Sequence, residues 1–406
     1  MKTITVVGAS LAGLYAATEL RSQGFDGTLR IVGDEPHRPY DRPPLSKGFL
    51  TGDLSPAQLA LAEPEDEAGL DAEWLTGHRA TGLDVRERTV VLDDGRRLGT
   101  DGLVIATGAS ARRLPGPRYD GVHTLRTLDD AVALRGELAR GPRHVVVIGG
   151  GFIGAEVASS CQATGHHVTV VEAARTPLIG QLGEEMAAEC AKLHGDHGVS
   201  LFCGTGVERL HGEPDGRGRQ RVCAVELSDG RVLSADVVVV GIGASPNTGW
   251  LEGSGLALGD GVLCDGGGLT DVPGVAAAGD VARTAGVRHE HWTNATAQAS
   301  AVARNLLAGT ALEVPSRPPY FWSDQYGVRI QFAGRRGAAD TVRVVEGSPE
   351  DRSFLAVYED GDRTTAVLAL NRPRSFGRLR KRLAAGTAGA AGVAEAAGAG
   401  VQASAV

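Results

Sequence analysis

The chain has 406 residues, of which 42% are hydrophobic and 22% are charged, a balance typical of a soluble globular protein. Its length predicts two or three domains rather than one. A formal net charge of −8 argues against nucleic-acid binding, because neutralising phosphates requires a concentrated basic surface. No apolar run approaches the ~20 residues of a membrane-spanning helix, so we expect no membrane partner.

The N-terminus and the cysteines both predict a cytoplasmic protein. Met1 leads almost directly into a strand-like segment, without the basic region, apolar stretch and cleavage site of a secretory signal. The five cysteines are odd in number and scattered, which favours a reducing compartment over a disulfide framework. None of them forms a C-x-x-C pair, and we expect no metal centre.

Apolar strand-like runs alternate with helix-length segments through the first 240 residues. Helices are predicted over 11–23 and 152–164, and strands over 4–7, 29–32, 103–106, 145–148, 168–171 and 237–240. Continuous apolar strands that alternate with helices indicate parallel sheets covered on both faces. The predicted fold class is therefore α/β.

The order strand, glycine-rich turn, helix, strand occurs twice, at residues 4–35 and 145–172. Two Rossmann-like dinucleotide-binding units are therefore predicted in one chain.

The pattern changes at Tyr320. Four short strands and a basic helix follow and indicate a third, α+β domain; the strands are predicted over 328–332, 342–345, 354–358 and 365–370, and the helix over 376–383. Residues 386–406 are almost entirely Ala, Gly, Val and Ser, and a segment so poor in large apolar side chains predicts a disordered tail.

The first glycine turn, Gly8-Ala9-Ser10-Leu11-Ala12-Gly13, follows a strand and opens a helix. Gly8 allows a tight turn, and Gly13 allows the helix to pack closely on the strand. The helix N-terminus then offers unpaired N–H groups and a positive dipole end to a pyrophosphate, while Glu35, just past the next strand, can bind ribose hydroxyls. Ser10 replaces the glycine expected nearest the phosphate, so a plain strand-to-helix turn is the alternative.

The second turn, Gly149-Gly150-Gly151-Phe152-Ile153-Gly154, is a complete G-x-G-x-x-G after an apolar strand. Glu172 ends the next strand. A carboxylate there would bind the adenosine 2′-OH and repel a 2′-phosphate, so this turn should prefer NADH over NADPH. Arg175, three residues later, weakens that preference because an arginine can accommodate the phosphate.

Further motifs follow in a fixed order along the chain. They are Tyr40-Asp41-Arg42-Pro43-Pro44-Leu45-Ser46-Lys47, Ala106-Thr107-Gly108, Leu125-Arg126-Thr127, Gly241-Ile242-Gly243-Ala244-Ser245-Pro246-Asn247, Ala278-Gly279-Asp280, His291-Trp292 and Tyr320-Phe321-Trp322-Ser323-Asp324-Gln325. With the glycine turns, this ordered set over residues 2–383 resembles the FAD-dependent NADH:ferredoxin reductases of bacterial oxygenase systems, such as the putidaredoxin, rubredoxin and biphenyl-dioxygenase ferredoxin reductases.

The resemblance implies a glutathione-reductase-like architecture, in which an NAD domain is inserted into a split FAD domain. On this basis we expect an FAD-binding domain at 1–108 and 239–318, an NAD-binding domain at 109–238 and a C-terminal α+β domain at 319–385.

The resemblance also implies site residues. Asp280 would bind the ribityl chain, Arg42 and Arg126 would lie near the FAD pyrophosphate, and Trp292 and Trp322 would pack beside the isoalloxazine; for either tryptophan alone, core packing is the alternative. The implied FAD residues are Gly8, Ser10, Leu11, Ala12, Gly13, Glu35, Arg42, Lys47, Ala80, Ala106, Thr107, Gly108, Arg126, Gly279, Asp280, Trp292 and Trp322. The implied NAD residues are Gly149, Gly151, Phe152, Ile153, Gly154, Glu156, Glu172, Gly241, Ile242 and Gly243.

Lys47 matches a lysine that the family places beside flavin N5, and Glu156 matches the glutamate that pairs with it. A cation there would stabilise charge on the reduced flavin, and the carboxylate would fix the cation's position. Without the resemblance, two solvated surface charges are the simpler interpretation. With it, we expect this pair to tune the flavin, with no acid/base triad.

The expected function is hydride transfer from NADH to FAD, followed by single-electron transfer to an acidic, transiently bound iron–sulfur ferredoxin that supplies a haem-thiolate monooxygenase or a Rieske oxygenase. The absence of C-x-x-C agrees, because disulfide reductases of similar architecture pass electrons through a cysteine pair. Candidate docking residues are Arg335, Arg336, Arg372, Arg374, Arg378, Arg380, Lys381 and Arg382, although a solvated helix face is the alternative. An NADH oxidase or other small-acceptor reductase, and a redox-sensing FAD scaffold protein, are the alternative functions.

Overall fold

The structure is a computed structural model that describes residues 1–216 and 218–386. The tail predicted over 386–406 lies outside these residues, except for Gly386. The described helices are α1 (Leu11–Ser22), α2 (Gly48–Thr51), α3 (Pro64–Gly69), α4 (Leu128–Leu138), α5 (Phe152–Ala163), α6 (Ile179–Asp196, interrupted at Gly183), α7 (Trp292–Ala308) and α8 (Pro373–Ala384).

The strands are given in chain order. They are β1 (Thr3–Val7), β2 (Thr28–Gly33), β3 (Ala72–Thr76), β4 (Ala80–Asp84), β5 (Thr89–Leu92), β6 (Arg97–Gly99), β7 (Gly102–Ile105), β8 (Ala109–Ala111), β9 (Val122–Thr124), β10 (His144–Ile148), β11 (His167–Glu172), β12 (Ser200–Cys203), β13 (Val207–Pro214), β14 (Gln220–Leu227), β15 (Val232–Ser234), β16 (Val237–Val240), β17 (Ala244–Pro246), β18 (Leu258–Gly259), β19 (Gly261–Cys264), β20 (Val275–Ala277), β21 (Ala282–Thr284), β22 (Val287–Arg288), β23 (Tyr320–Gln325), β24 (Val328–Gly334), β25 (Thr341–Ser348), β26 (Ser353–Asp360) and β27 (Arg363–Leu370).

The chain folds into two compact units, each built from separate stretches of sequence. Unit 1 contains Met1–Asp41, Ala57–Ser110 and Ala244–Pro319. Unit 2 contains Arg42–Pro56, Ala111–Gly243 and the described residues from Tyr320 onward.

Unit 1 is centred on a parallel five-stranded sheet with the order β20-β7-β1-β2-β3. Successive residues of β7 face opposite sides: Val104 packs in the core with α1 and α7, while Leu103 and Ile105 pack in a second core on the other face. Both faces of the sheet are therefore covered, as the continuous apolar runs predict. The smaller sheets β4-β5-β6 and β18-β19-β21-β22 complete this unit.

Unit 2 contains a second parallel sheet with the order β12-β11-β10-β16-β9. Beside it lies the antiparallel sheet β13-β14-β15. The residues from Tyr320 onward form an antiparallel five-stranded sheet, β23-β24-β27-β26-β25, on which α8 packs through buried Phe376 and Leu379.

The predicted α/β class with two Rossmann-like units and a C-terminal α+β region is confirmed. Each strand and helix predicted from the glycine turns is present within a residue or two of its expected bounds. None of the helices in residues 1–216 and 218–386 combines the length and apolar character needed to cross a bilayer.

Candidate active site and dinucleotide-binding turns

The first glycine turn joins β1 to α1 in unit 1. Gly8 has a φ of +126°, and a Cβ added there would lie 2.0 Å from the Ala106 carbonyl oxygen. A Cβ added at Gly13 would lie 1.8 Å from the Gly8 carbonyl oxygen. Both positions therefore require glycine. Ser10 is the extended N-cap residue of α1, so Leu11 and Ala12 form the first turn of the helix.

A second strand-to-helix turn of unit 1 lies against this first one. Gly279 has a φ of +77° and its N–H donates to Gln298 Oε1 over 3.0 Å. A Cβ at Gly279 would lie 3.1 Å from Ala12 Cβ, so Asp280 follows a backbone that touches the start of α1. The structure thus brings together the Gly8 turn and Asp280, which are far apart in sequence.

Three more predicted residues of unit 1 are held by polar contacts. Glu35 Oε2 accepts a hydrogen bond from the Tyr40 hydroxyl over 2.5 Å. Trp292 begins α7, and its Nε1 donates to Asp41 Oδ1 over 2.9 Å. The Thr107 hydroxyl donates to the backbone carbonyl of Asn247, so polar contacts as well as packing position all three side chains.

The Ala106-Thr107-Gly108 and Asn247 motifs meet each other within unit 1. Thr107 Oγ1 donates to the Asn247 carbonyl over 2.9 Å, and Asn247 Nδ2 donates back to the Thr107 carbonyl over 2.8 Å. Gly108 takes a φ of +63°. Two motifs about 140 residues apart are therefore parts of one backbone junction.

The second glycine turn joins β10 to α5 in unit 2. A Cβ added at Gly149 would lie 2.3 Å from the Gly241 carbonyl oxygen, and one added at Gly154 would lie 2.0 Å from the Gly149 carbonyl oxygen. Gly151 differs, because its φ is −66° and a Cβ there would meet nothing within 4 Å. Close backbone packing requires glycine at Gly149 and Gly154, whereas glycine at Gly151 keeps the space in front of the helix N-terminus open.

Glu172 ends β11, and its carboxylate connects the second glycine turn to the loop that follows β11. Its Oε2 accepts the Gly150 N–H over 2.7 Å, and its Oε1 accepts the Ala174 N–H over 2.8 Å. Arg175 forms an exposed ion pair with Glu184 over 2.9 Å. The carboxylate therefore lies at the mouth of the turn, and the nearby arginine has another carboxylate partner.

Lys47 and Glu156 form an ion pair within unit 2. Lys47 Nζ lies 2.7 Å from Glu156 Oε2, with side-chain exposures of 22% and 3%. Because Glu156 is buried, this pair is not the solvated surface pair that the sequence left as the simpler interpretation.

The other predicted residues occupy defined positions in their own units. In unit 2, the Arg42 guanidinium donates to the Arg126 carbonyl over 2.7 Å, and Trp322 stacks on Tyr320 with ring centroids 5.7 Å apart. Ile153, in the first turn of α5, is 46% exposed although it is apolar. Ala80 begins β4 in unit 1 and is buried in its apolar core.

Sequence reasoning missed two serines that contact Glu156. Ser46 Oγ donates to Glu156 Oε2 over 2.6 Å, and Ser323 Oγ donates to Glu156 Oε1 over 2.7 Å. Both lie inside motifs that were recognised, next to Lys47 and Trp322, but a serine in isolation carries no chemical signal. Only the folded chain shows what these hydroxyl groups contact.

Comparison with known proteins agrees with this geometry. The family model described as pyridine nucleotide-disulphide oxidoreductase matches residues 2–299, and the model described as reductase C-terminal matches residues 320–399. The chain belongs to the pyridine nucleotide-disulphide oxidoreductase family.

Relatives within this oxidoreductase family cover most of the chain. Rhodocoxin reductase of Rhodococcus erythropolis is 38% identical over 398 residues, covering 94% of this chain and 89% of the relative. The ferredoxin reductase component of chlorobenzene dioxygenase from Cupriavidus sp. (strain PS12) is 39% identical over 387 residues, covering 92% and 90%. The covalent putidaredoxin reductase–putidaredoxin complex is similar in structure, with a TM-score of 0.89 at 34% identity over 95% of this chain and 93% of that chain.

This member of the oxidoreductase family has five unpaired cysteines, despite the disulphide in the family name. Burial raises the pKa of the Cys161, Cys190 and Cys264 thiols to about 12. A thiol with so high a pKa is a poor nucleophile near neutral pH. The described structure therefore offers no activated cysteine pair.

Proposed function

We propose that this protein is an FAD-dependent NADH:ferredoxin reductase of a bacterial oxygenase system. The observation that carries the proposal is that each unit contains a strand-to-helix glycine turn of the dinucleotide-binding kind, one at Gly8–Gly13 and one at Gly149–Gly154. When bound, FAD supplies the two-electron chemistry that accepts a hydride and the one-electron chemistry that serves an iron–sulfur partner. The residues of this chain bind the two cofactors, orient them and tune the reduction of the flavin.

The turn of unit 1 fits FAD. Glycine at residues 8 and 13 brings the N-terminus of α1 against the end of β1, where unpaired N–H groups favour a pyrophosphate. Glu35 offers acceptors for ribose hydroxyls, and Asp280, beside the start of α1, offers acceptors for a hydroxyl-rich chain. These groups support the assignment of FAD to the split segments 1–108 and 239–318.

The turn of unit 2 fits NADH. The open space at Gly151 is a cradle that any Cβ would enter, and it faces the N-terminus of α5. Glu172 at its mouth favours a ribose with a free 2′-OH. We therefore assign NADH to the domain at 109–238, with residues 319–385 as the third domain.

The Lys47–Glu156 pair is proposed to tune the flavin. A buried carboxylate holds the ammonium of Lys47 in one position, and a fixed positive charge favours a cofactor that becomes more negative on reduction. The proposed task of this chain is thus alignment and charge stabilisation, without a general base.

An iron–sulfur ferredoxin is the proposed electron acceptor. One relative is named as the ferredoxin reductase component of chlorobenzene dioxygenase, and a structural neighbour is putidaredoxin reductase in a covalent complex with putidaredoxin. The five unpaired cysteines support this route over a thiol route and support a reducing, cytoplasmic location.

Turnover assays test the function. We expect NADH to reduce the bound FAD rapidly, oxygen alone to be consumed slowly, and added ferredoxin to make cytochrome c reduction fast. Fast NADH oxidation by oxygen without ferredoxin would identify an oxidase instead. Slow reduction of FAD together with a change in association state on adding NADH would identify a redox-sensing scaffold.

A further inference from the structure

The carboxylate of Glu156 is saturated with donors. Oε2 accepts Ser46 Oγ over 2.6 Å and Lys47 Nζ over 2.7 Å, while Oε1 accepts Ser323 Oγ over 2.7 Å and the Asp324 N–H over 3.3 Å. A carboxylate has about four acceptor sites, so these donors fill its capacity. The orientation of Glu156 is consequently set by its neighbours on both sides, and Lys47 is only one of them.

Both serines are buried and held in turn by other groups. Ser323 has no exposed surface, and its oxygen accepts from Gln325 Nε2 over 3.0 Å. Ser46 is 2% exposed, and its carbonyl accepts from Ser160 Oγ over 2.6 Å. A buried hydroxyl without a partner is costly, so each serine is committed to the carboxylate it contacts.

One side of α5 runs along β23 and the turn that follows it. Phe152 contacts Phe321 with ring centroids 4.5 Å apart, Glu156 contacts Ser323, and Ser159 Oγ accepts the Tyr326 N–H over 2.7 Å. Residues 152, 156 and 159 follow the i, i+4, i+7 spacing of one helix face. Helix α5, which begins at the second glycine turn and carries Glu156, is thus packed against β23, whose Ser323 donates to the Glu156 carboxylate.

We propose that Ser46 and Ser323 are positioning residues that orient the Glu156 carboxylate toward the ammonium of Lys47. Removing either hydroxyl leaves one carboxylate oxygen with a single donor, which frees Glu156 to rotate and lets the ammonium of Lys47 move. The inference rests on the proposed function, in which that ammonium stabilises the reduced cofactor. Ser323 acts through Glu156, whereas Ser46 Oγ also accepts a longer hydrogen bond from Lys47 Nζ over 3.4 Å, and neither serine itself reacts.

The reduction potential of the bound FAD tests this inference, measured by equilibration with a reference dye. We expect Ser46→Ala and Ser323→Ala each to shift the redox equilibrium about 3- to 10-fold toward oxidised FAD, which is roughly 14 to 30 mV for two electrons. Ser159→Ala is the matched control, because it removes a hydroxyl contact from the same helix without touching Glu156. Its potential should equal that of the wild type, even where its thermal unfolding temperature falls.

A double-mutant cycle separates positioning from general loosening. In a Glu156→Gln background, Ser323→Ala should no longer change the potential, because the serine acts only through that carboxylate. Unchanged potentials in both alanine variants, or an equal shift in Ser159→Ala, would overturn the inference. Failure of the wild-type protein to bind FAD or accept electrons from NADH would instead overturn the proposed function.

Discussion

Gly151 and Gly154 show how residues of one motif are glycine for different reasons. A Cβ at Gly154 would lie 2.0 Å from a backbone oxygen, whereas a Cβ at Gly151 would meet nothing within 4 Å. The clash at Gly154 cannot be relieved without moving α5 away from its strand. A Cβ at Gly151 would leave the fold unchanged and would narrow only the space for a ligand.

Alanine at these two positions should therefore give opposite results. Gly154→Ala should lower the free energy of unfolding by about 1–3 kcal/mol or more, as overpacking does. Gly151→Ala should keep the thermal unfolding temperature of the wild type and raise the KM for NADH roughly tenfold. Measuring both quantities for both variants checks the prediction, and a destabilised Gly151→Ala protein with normal KM would contradict it.

Glu172 should determine the preference between the two nicotinamide cofactors. Its carboxylate lies at the mouth of the second turn, where it would repel a 2′-phosphate. We expect kcat/KM to be at least about tenfold lower with NADPH than with NADH. Glu172→Gln keeps the shape of the side chain and removes its charge, so the ratio of kcat/KM with NADH to kcat/KM with NADPH should fall close to one. Glu213→Gln, at an exposed position of β13, should leave that ratio unchanged. Equal efficiency of the wild type with both cofactors would refute the assignment.

Helix α6 contacts the turn between β23 and β24 through a buried histidine. His194 is 2% exposed, and its Nδ1 lies 2.8 Å from the Tyr326 hydroxyl. Burial lowers the pKa of His194 to about 4. The unfolded chain takes up this proton near pH 6.5, so acidification below that pH favours unfolding until about pH 4 is reached.

This contact should make stability depend on pH. Between pH 7 and pH 5, His194 should cost the folded state about 2 kcal/mol by proton linkage. His194→Gln should flatten the pH dependence of the unfolding free energy by that amount, as measured by denaturant titration at both values. His167→Gln, at an exposed imidazole, serves as control; an unchanged slope in His194→Gln would show that this contact does not carry the effect.

The helix α8 has one apolar and one basic side. Phe376 and Leu379 are buried, whereas Arg374, Arg378 and Lys381 are exposed at the i, i+4, i+7 spacing of one face. Two other basic residues predicted for docking make contacts within the domain: Arg372 pairs with Glu346, and Arg380 lies over the Tyr320 ring. Three of the predicted docking residues therefore share one exposed face of α8, and Arg335, which follows β24, is exposed as well.

Charge reversal on this face should slow transfer to an acidic ferredoxin. Arg374→Glu with Lys381→Glu should lower the second-order rate constant for ferredoxin reduction about tenfold at low salt, and less at high salt because the attraction is screened. NADH-dependent reduction of the bound FAD should not change. Arg88→Glu with Arg97→Glu, at two exposed positions of unit 1, changes the net charge by the same amount and is the matched control. Equal rates in the α8 variant and the control would exclude this face.

Electron flow through the whole protein should not depend on thiols. The five cysteines are unpaired; Cys161 and Cys190 are buried, Cys264 is partly buried, and the pKa of each of these three thiols is raised to about 12. Alkylation with iodoacetamide under native conditions should leave ferredoxin reduction at its original rate. Loss of NADH-dependent ferredoxin reduction after modification, with FAD retained, would indicate a thiol route.

The sequence alone determined the α/β class, both dinucleotide turns and the C-terminal sheet with its basic helix. These features are local: periodic apolar runs, a glycine that must take a positive φ at Gly8, and a strand that leads directly into a helix. The prediction for Lys47 and Glu156 came from resemblance, because neither residue has a distinctive local signal. The small sheets β4-β5-β6 and β13-β14-β15 were not predicted, because polar and charged residues interrupt most of their strands, including the eight-residue strands β13 and β14.

Only the tertiary structure decided which groups surround Glu156. Ser46, Glu156 and Ser323 come from three distant stretches of unit 2, separated by 110 and 167 residues. A serine hydroxyl makes the same local pattern whether it faces water or a buried carboxylate. Contacts over such sequence separations depend on how strands and helices pack, and packing is set by the whole unit rather than by any one motif.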